Sequence, residues 1–167
     1  KKWYEKDGVI YFSVTSDGTT GPDWIKRLES KGFQVGDPAR WLLNSPDFKP
    51  TSGVTTKVAV LKCRSFSRLF RATSDIRVAA VQRQLDKPNA EIACLIREKF
   101  MDEEIEAMCL IWITVMHEPI DDSNEEPKLF LVSRYEGGRW LNTECGKQNY
   151  EWGSAAGFAF VVPQNPQ

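Results

Sequence analysis

The sequence is poor in the residues from which metal and cofactor sites are built. It has one histidine, His117, and so cannot form a zinc site with several histidine ligands. Its four cysteines include no Cys-x-x-Cys pair, which excludes the commonest zinc and redox motifs. The Walker lysine and the G-x-G-x-x-G spacing of nucleotide-binding loops are also missing. We therefore expect no metal ion and no cofactor.

Long apolar runs and a signal sequence are missing as well. The longest apolar stretch, 108–116, is shorter than the roughly 18 residues that a transmembrane helix needs. No apolar segment of the kind found in signal peptides follows the lysines of 1–7. From these absences we expect no membrane among the partners and a cytoplasmic location.

The cysteines support the same location. Cys94 and Cys109 lie in apolar segments, whereas Cys63 and Cys145 have polar neighbours. A free cysteine behaves as a small buried apolar residue, and reduced thiols are typical of the cytoplasm. We predict four free thiols. The alternative is two disulfides in one of three possible pairings.

The composition is that of an ordinary globular protein. Of the 167 residues, 41% are hydrophobic and 27% are charged, and the net charge is −1. A disordered chain would have fewer apolar residues and a larger net charge. The length fits one domain with one substantial core. We therefore predict a single globular domain over 1–167.

Hydrophobic periodicity predicts both strands and helices. Strands are predicted at 9–15, 54–61, 111–116, 129–135, 139–143 and 157–162. Helices are predicted at 22–32, 38–43, 75–85, 89–100 and from 102 onward. The helices come early and the late strands favour antiparallel pairing. This order predicts an α+β fold, with a mixed or mainly antiparallel sheet packed against a cluster of helices.

The first candidate site is the loop between the first predicted strand and helix. It contains Ser16, Gly18, Thr19, Thr20 and Gly21. Free backbone N–H groups at a helix start attract anions, and glycines allow a ligand close to the backbone. The loop is thus a candidate anion-binding site. The favoured alternative is ordinary turn and capping chemistry, which uses the same residue types.

His117 is the candidate catalytic residue, because it follows an apolar strand and histidine titrates near neutral pH. With the loop as anion site, it would give an enzyme acting on a phosphorylated or otherwise anionic small ligand. The alternative is a histidine with a structural role at the edge of the sheet.

Charge is unevenly distributed along the chain. Segment 57–87 has eight Lys/Arg and two Asp/Glu, a net charge of +6, and segment 88–127 has a net charge of −9. Arg64, Arg68 and Arg71 alternate with aromatic residues, a pattern typical of single-stranded nucleic-acid binding. The favoured alternative pairs the two segments within the chain, or across a homodimer of complementary charge.

The last third is rich in aromatic residues, among them Tyr135, Trp140, Tyr150 and Trp152. They could bind a sugar or a peptide from a strand surface, or they could be buried as strand aromatics usually are. The sequence shows no nucleophile–base pair, metal cluster or cofactor motif. We therefore favour a non-catalytic binding or interaction module of unknown ligand, and whether the protein is an enzyme stays open.

Overall fold

In a computed structural model, which describes residues 1–164, nine strands form one mixed sheet. They are β1 (Tyr4–Lys6), β2 (Val9–Asp17), β3 (Gln34–Val35), β4 (Ser52–Lys62), β5 (Trp112–Val115), β6 (Ile120–Asp121), β7 (Pro127–Ser133), β8 (Trp140–Cys145) and β9 (Ala156–Val162). Their spatial order is β1-β2-β4-β9-β5-β7-β8-β3, and β6 pairs with β7. Only the β3–β8 and β5–β9 pairs are parallel. The predicted α+β fold with a mixed, mainly antiparallel sheet is confirmed.

The hydrophobic pattern of the sequence predicted the long strands but not the shortest ones. Strands β7 and β9 are buried on both faces for most of their length, which explains their continuous apolar runs. Strands β1, β3 and β6 have only two or three residues each. So few residues carry no readable alternation, and these three strands were not predicted.

Five helices cover the sheet: α1 (Gly21–Ser30), α2 (Asp37–Leu43), α3 (Thr73–Gln82), α4 (Ile92–Lys99) and α5 (Asp102–Ala107). Helix α1 begins as predicted, with Thr20 as its N-cap residue and Pro22 in its first turn. None of the helices in the described part of the chain is long and apolar enough to cross a membrane.

The sheet separates two hydrophobic cores. The larger core joins the first face to α1, α2, α4 and α5 and contains Phe12, Trp24, Ile96 and Val115. Ile96 and Val115 are fully buried, as the helix stripe and the central strand predicted. The smaller core, on the second face, includes Ile76 of α3 with aromatic residues of β9 and of the loop before it. On this second face α3 leaves the β7–β8 end of the sheet without a helix.

Candidate functional site

The hydroxyl groups of the predicted anion loop are already occupied within the protein. Ser16 is buried, and its Oγ accepts hydrogen bonds from Thr51 Oγ1 at 2.7 Å and from the Val54 backbone N–H at 3.1 Å. Thr20 Oγ1 lies 3.4 Å from the Asp23 nitrogen, at the start of α1. Thr19 donates to Asp17 through both its backbone N–H and its hydroxyl group.

Asp17 places a negative charge beside the loop, and Arg27 neutralises that charge. Arg27 lies 2.5 Å from Asp17 Oδ2 and also forms two hydrogen bonds to Glu98. Hydrogen bonds from Thr19 and Arg27 lower the pKa of Asp17 to about 2. Arg27 is thus already held by two carboxylates and is not free to bind an anion. The loop geometry therefore fits turn and capping chemistry better than an anion site.

The local structure explains why both positions of the loop, 18 and 21, are glycines. Gly18 has a φ of +82°, a left-handed conformation that glycine adopts without strain. Gly21 packs directly against the backbone of Leu43 at the end of α2. Its missing side chain is needed for the approach of the two helices, and that requirement explains the glycine without any ligand.

His117 is buried immediately after β5, with 1% of its surface exposed. Its Nδ1 lies 2.7 Å from the Glu118 carbonyl oxygen, and its Nε2 accepts the Phe130 N–H at 2.9 Å. Since a carbonyl oxygen only accepts, the proton is on Nδ1 and the ring is neutral. Nε2 thus joins the segment after β5 to β7, and Nδ1 is held by the following residue, so neither nitrogen is free to exchange a proton with a substrate.

The loop and His117 both lie at the C-terminal ends of their strands, β2 and β5, but they do not contact each other. Strands β2 and β5 run in the same direction with β4 and β9 between them, so their ends are roughly 14 Å apart at three strand spacings. Ser16 lines a cavity of about 80 Å³ and His117 another of about 260 Å³, and Asn89 lines both. Catalysis by His117 at the loop stays a prediction, without support from this arrangement.

Burial of His117 predicts a pH-dependent stability. Burial, with a contribution from the Arg77 charge, lowers the pKa of His117 from 6.5 to about 4. As the pH falls from 6.5 to 4, the unfolded chain therefore binds a proton that the folded chain does not. We expect the free energy of unfolding to fall by about 3 kcal/mol over this interval from this group.

Chemical denaturation between pH 4 and 7 measures this loss, and His117→Asn should remove it relative to the wild type. NMR titration of the ring gives a direct check, because the chain has only this histidine. An imidazole pKa near 6.5 in the folded protein would contradict the buried, neutral ring.

The arginines of the basic segment 57–87 donate to backbone carbonyl groups rather than to carboxylates. Arg64 donates to the Cys109 carbonyl oxygen, Arg71 to that of Phe66 at 3.2 Å, and Arg77 to those of Met116 and His117 at 2.9 Å each. Arg68 and Arg83 are exposed. None of these five arginines forms an ion pair with another residue in the range 1–164.

The acidic segment 88–127 takes its cations mostly from elsewhere. Glu98 pairs with Arg27 of α1 and with Lys31, the residue that follows α1. Glu126 pairs with Lys147. Within the described residues, one ion pair joins the basic and acidic segments, Lys87 with Glu118 at 2.5 Å. The expected neutralisation within one chain is therefore confined to that pair.

Apolar side chains accompany the uncompensated arginines. Leu69 is 84% exposed, Val81 of α3 is 73% exposed, and Phe70 and Val78 are each more than half exposed. Val78 and Val81 belong to α3, which packs on the second face of the sheet, and Leu69 and Phe70 belong to the segment just before it. We call this group the α3 surface, defined by Arg64, Arg68, Leu69, Phe70, Val78, Val81 and Arg83.

The α3 surface holds four of the eight large apolar side chains that are exposed within residues 1–164. No family model, curated protein or solved structure matches this chain. Its function must therefore be inferred from its own side chains. Of this surface, sequence reasoning named Arg64 and Arg68 as candidates and did not name Leu69, Val78 or Val81. Its third arginine, Arg71, lies outside the surface. The apolar residues on both sides of α3 were the signal that could have revealed them.

Proposed function

We propose that this protein is a non-catalytic interaction module that binds an acidic, partly apolar segment of another protein through the α3 surface. The observation that carries the proposal is the exposure of Leu69, Phe70, Val78 and Val81 beside arginines that have no carboxylate partner among the described residues. Contiguous exposed apolar groups on soluble domains commonly mark interaction sites.

Helix α3 is apolar on two opposite sides. Thr73, Ile76 and Ala80 face the sheet and are buried. Val78 and Val81 lie on the opposite side of the helix, at a spacing of three residues. A helix of an isolated domain usually presents polar residues to water. Its second apolar side therefore favours a partner that covers it.

Charge selects the kind of partner. Arg64 donates only to a carbonyl oxygen, and Arg68 and Arg83 are exposed, so their positive charges remain available to an approaching molecule. Complementary charge across an interface accelerates association and excludes wrong partners. An acidic segment with aliphatic residues matches both the arginines and the apolar side chains.

Single-stranded nucleic acid remains the second candidate, because uncompensated arginines also fit phosphates. The aromatic residues support nucleic-acid binding less well than they support binding to a protein segment. Phe66 is half-buried and packs edge-to-face against Phe158, with 6.4 Å between the ring centroids. Phe70 is the one aromatic ring of segment 63–72 left exposed for stacking. Three of the four exposed apolar residues are aliphatic, which favours contacts with protein side chains.

The experiment is fluorescence anisotropy with a labelled acidic amphipathic peptide of about 18 residues, roughly five helical turns. We expect micromolar binding at about 0.15 M salt, and weaker binding as screening increases. Leu69→Ser with Val78→Ser should weaken binding at least about tenfold, since each buried aliphatic side chain contributes about 1.5 kcal/mol or more. Arg64→Glu with Arg68→Glu should weaken it similarly.

Matched controls lie on the helices of the opposite face. Trp41→Ser removes an exposed apolar residue of α2, and Lys26→Glu reverses an exposed charge of α1. Both should bind the peptide like the wild type. Labelled single-stranded DNA and RNA are measured in parallel. Tighter binding to nucleic acid, abolished by the arginine variants but not by Leu69→Ser with Val78→Ser, would replace the proposal with the nucleic-acid alternative. Equal loss of peptide binding in the controls would refute a specific surface.

A further inference from the structure

A cleft lies on the second face of the sheet, where the layer containing α3 ends. It has a volume of about 460 Å³ and is formed by β5, β7, β8 and the turn between β7 and β8. Its chemically distinctive lining residues are Trp112, Tyr135, Trp140, Glu136 and Glu144. None of them belongs to the α3 surface. Tyr135 and Trp140 are among the aromatic residues for which the sequence left sugar or peptide binding open.

Strand register places two indole rings on either side of a small residue. Trp112 pairs with Ser133, and Ser133 pairs in turn with Trp140. Residues paired across neighbouring strands share a face of the sheet, so the three side chains form one row. Two strand spacings separate the tryptophan backbones by roughly 10 Å, with Ser133 between them. The row forms a notch with aromatic sides and a polar centre.

The notch is held in place by hydrogen bonds. Trp140 Nε1 donates to the Glu136 carbonyl oxygen at 2.9 Å, and Ser133 Oγ accepts the Tyr135 N–H at 3.0 Å. Behind the sheet, the buried guanidinium of Arg97 donates to the carbonyl oxygens of Ser133 and Trp140, both at 3.2 Å. A site fixed in this way loses little conformational entropy when a ligand binds.

The charged groups that line the cleft are all acidic. Glu136 and Glu144 line it, and no lysine, arginine or histidine does so among the described residues. Neither glutamate forms an ion pair with a residue between 1 and 164. Burial, followed by the charge of Glu144, raises the pKa of the adjacent Tyr150 phenol. The Glu144 carboxylate thus exerts a negative potential at this end of the cleft.

We propose that the cleft binds the ammonium group of a small organic cation. Faces of tryptophan and tyrosine rings attract cations, and the attraction increases when the cation leaves water. The two carboxylates add a Coulomb attraction of the same sign. A cavity of this size accommodates a ligand of modest size, and its polar groups would fix the orientation of that ligand. The cleft is independent of the α3 surface, so one of the two proposals can be wrong while the other is right.

The test compares choline with its uncharged carbon isostere, 3,3-dimethylbutan-1-ol, by isothermal titration calorimetry and by NMR of the tryptophan indole signals. We expect choline to bind with a Kd of about 1 mM or tighter, and the isostere at least about tenfold more weakly, because it lacks the charge. Glucose and N-acetylglucosamine serve as neutral sugar probes and should bind no better than the isostere.

Variants locate the binding. Trp140→Ala and Glu144→Gln should each weaken choline binding at least about threefold, a loss of roughly 0.7 kcal/mol. Trp140→Phe, which keeps an aromatic ring, should retain most of the affinity and guards against a folding defect. Trp41→Ala and Glu126→Gln, which change exposed residues outside the cleft, are the matched controls.

Several results would overturn the proposal. Equal binding of choline and its isostere would show an apolar cleft without cation selectivity. Tighter binding of either sugar would make the cleft a carbohydrate site. Absence of choline binding, or unchanged binding in both Trp140→Ala and Glu144→Gln, would also refute it. None of these results affects the peptide experiment on the α3 surface, so the two failures are distinguishable.

Discussion

Arg97→Met is expected to lower the free energy of unfolding by about 3 to 5 kcal/mol, the usual cost of breaking a buried ion pair by removing one partner. For a chain of this length, the loss corresponds to a decrease in Tm of about 6 to 20 °C. Thermal denaturation followed by circular dichroism, with denaturant titration at 25 °C, measures both quantities.

The expectation rests on the position of the guanidinium group. Arg97 on α4 is fully buried and donates to the carbonyl oxygens of Phe100, Ser133 and Trp140 and to Asp102 Oδ1 at 3.0 Å. Methionine has a similar length but no donor. Its introduction leaves three buried carbonyl groups and one carboxylate without these hydrogen bonds, and each unsatisfied group costs about 1 to 3 kcal/mol.

The matched control is Arg40→Met on α2. Arg40 forms an exposed ion pair with Glu29, and pairs of this kind contribute at most about 1 kcal/mol. A loss in Arg97→Met no larger than that in Arg40→Met would contradict the structural role of Arg97. Because Arg97 supports Ser133 and Trp140 from behind, the variant should also weaken choline binding to the cleft, measured below its Tm.

Gly21→Ala should lower the free energy of unfolding by about 2 to 3 kcal/mol, at the upper end of the cost of overpacking. Alanine is a better helix former than glycine by about 1 kcal/mol, so at an open helical position the change would stabilise the protein. Here the new Cβ overlaps the Leu43 carbonyl oxygen and carbonyl carbon. A backbone group cannot rotate aside as a flexible side chain can, so α1 and α2 must separate.

Gly153→Ala is the control for this prediction, because a Cβ at Gly153 meets no atom within 4 Å and its φ is not positive. It should change stability by less than about 0.5 kcal/mol. Equilibrium denaturation of the two variants gives the comparison. A stabilised Gly21→Ala protein would mean that helix packing does not require this glycine, and would return the loop to consideration as a ligand site.

Local patterns determined most of the secondary structure. The β-branched and aromatic residues of 9–15 and the nearly continuous apolar run of 111–116 predicted β2 and β5. Pro22 predicted the start of α1 to within one residue, and the structure adds Thr20 as the N-cap residue. The α+β class followed from the order of these elements, which is a property of the sequence alone.

The tertiary structure gives different surroundings to residues that the sequence could not tell apart. Trp152 is buried against Tyr150 and Phe158, whereas Trp140 lines an open cleft. Both tryptophans lie in the aromatic-rich last third of the sequence, and only the layer covering one half of the sheet distinguishes them. His117 similarly reads as an acid/base candidate until the Glu118 carbonyl and the Phe130 N–H occupy its ring.

The sequence by itself determined the helices and the longer strands, the mixed fold class and the uneven distribution of charge. The tertiary structure decided which side of α3 meets the sheet, and so exposed Val78 and Val81. It also brought Trp112, Trp140 and Glu144 to one face and buried Arg97 among carbonyl groups of distant segments. The physical reason is that periodicity and capping act over a few neighbouring residues, whereas burial and charge pairing depend on residues far apart in the chain.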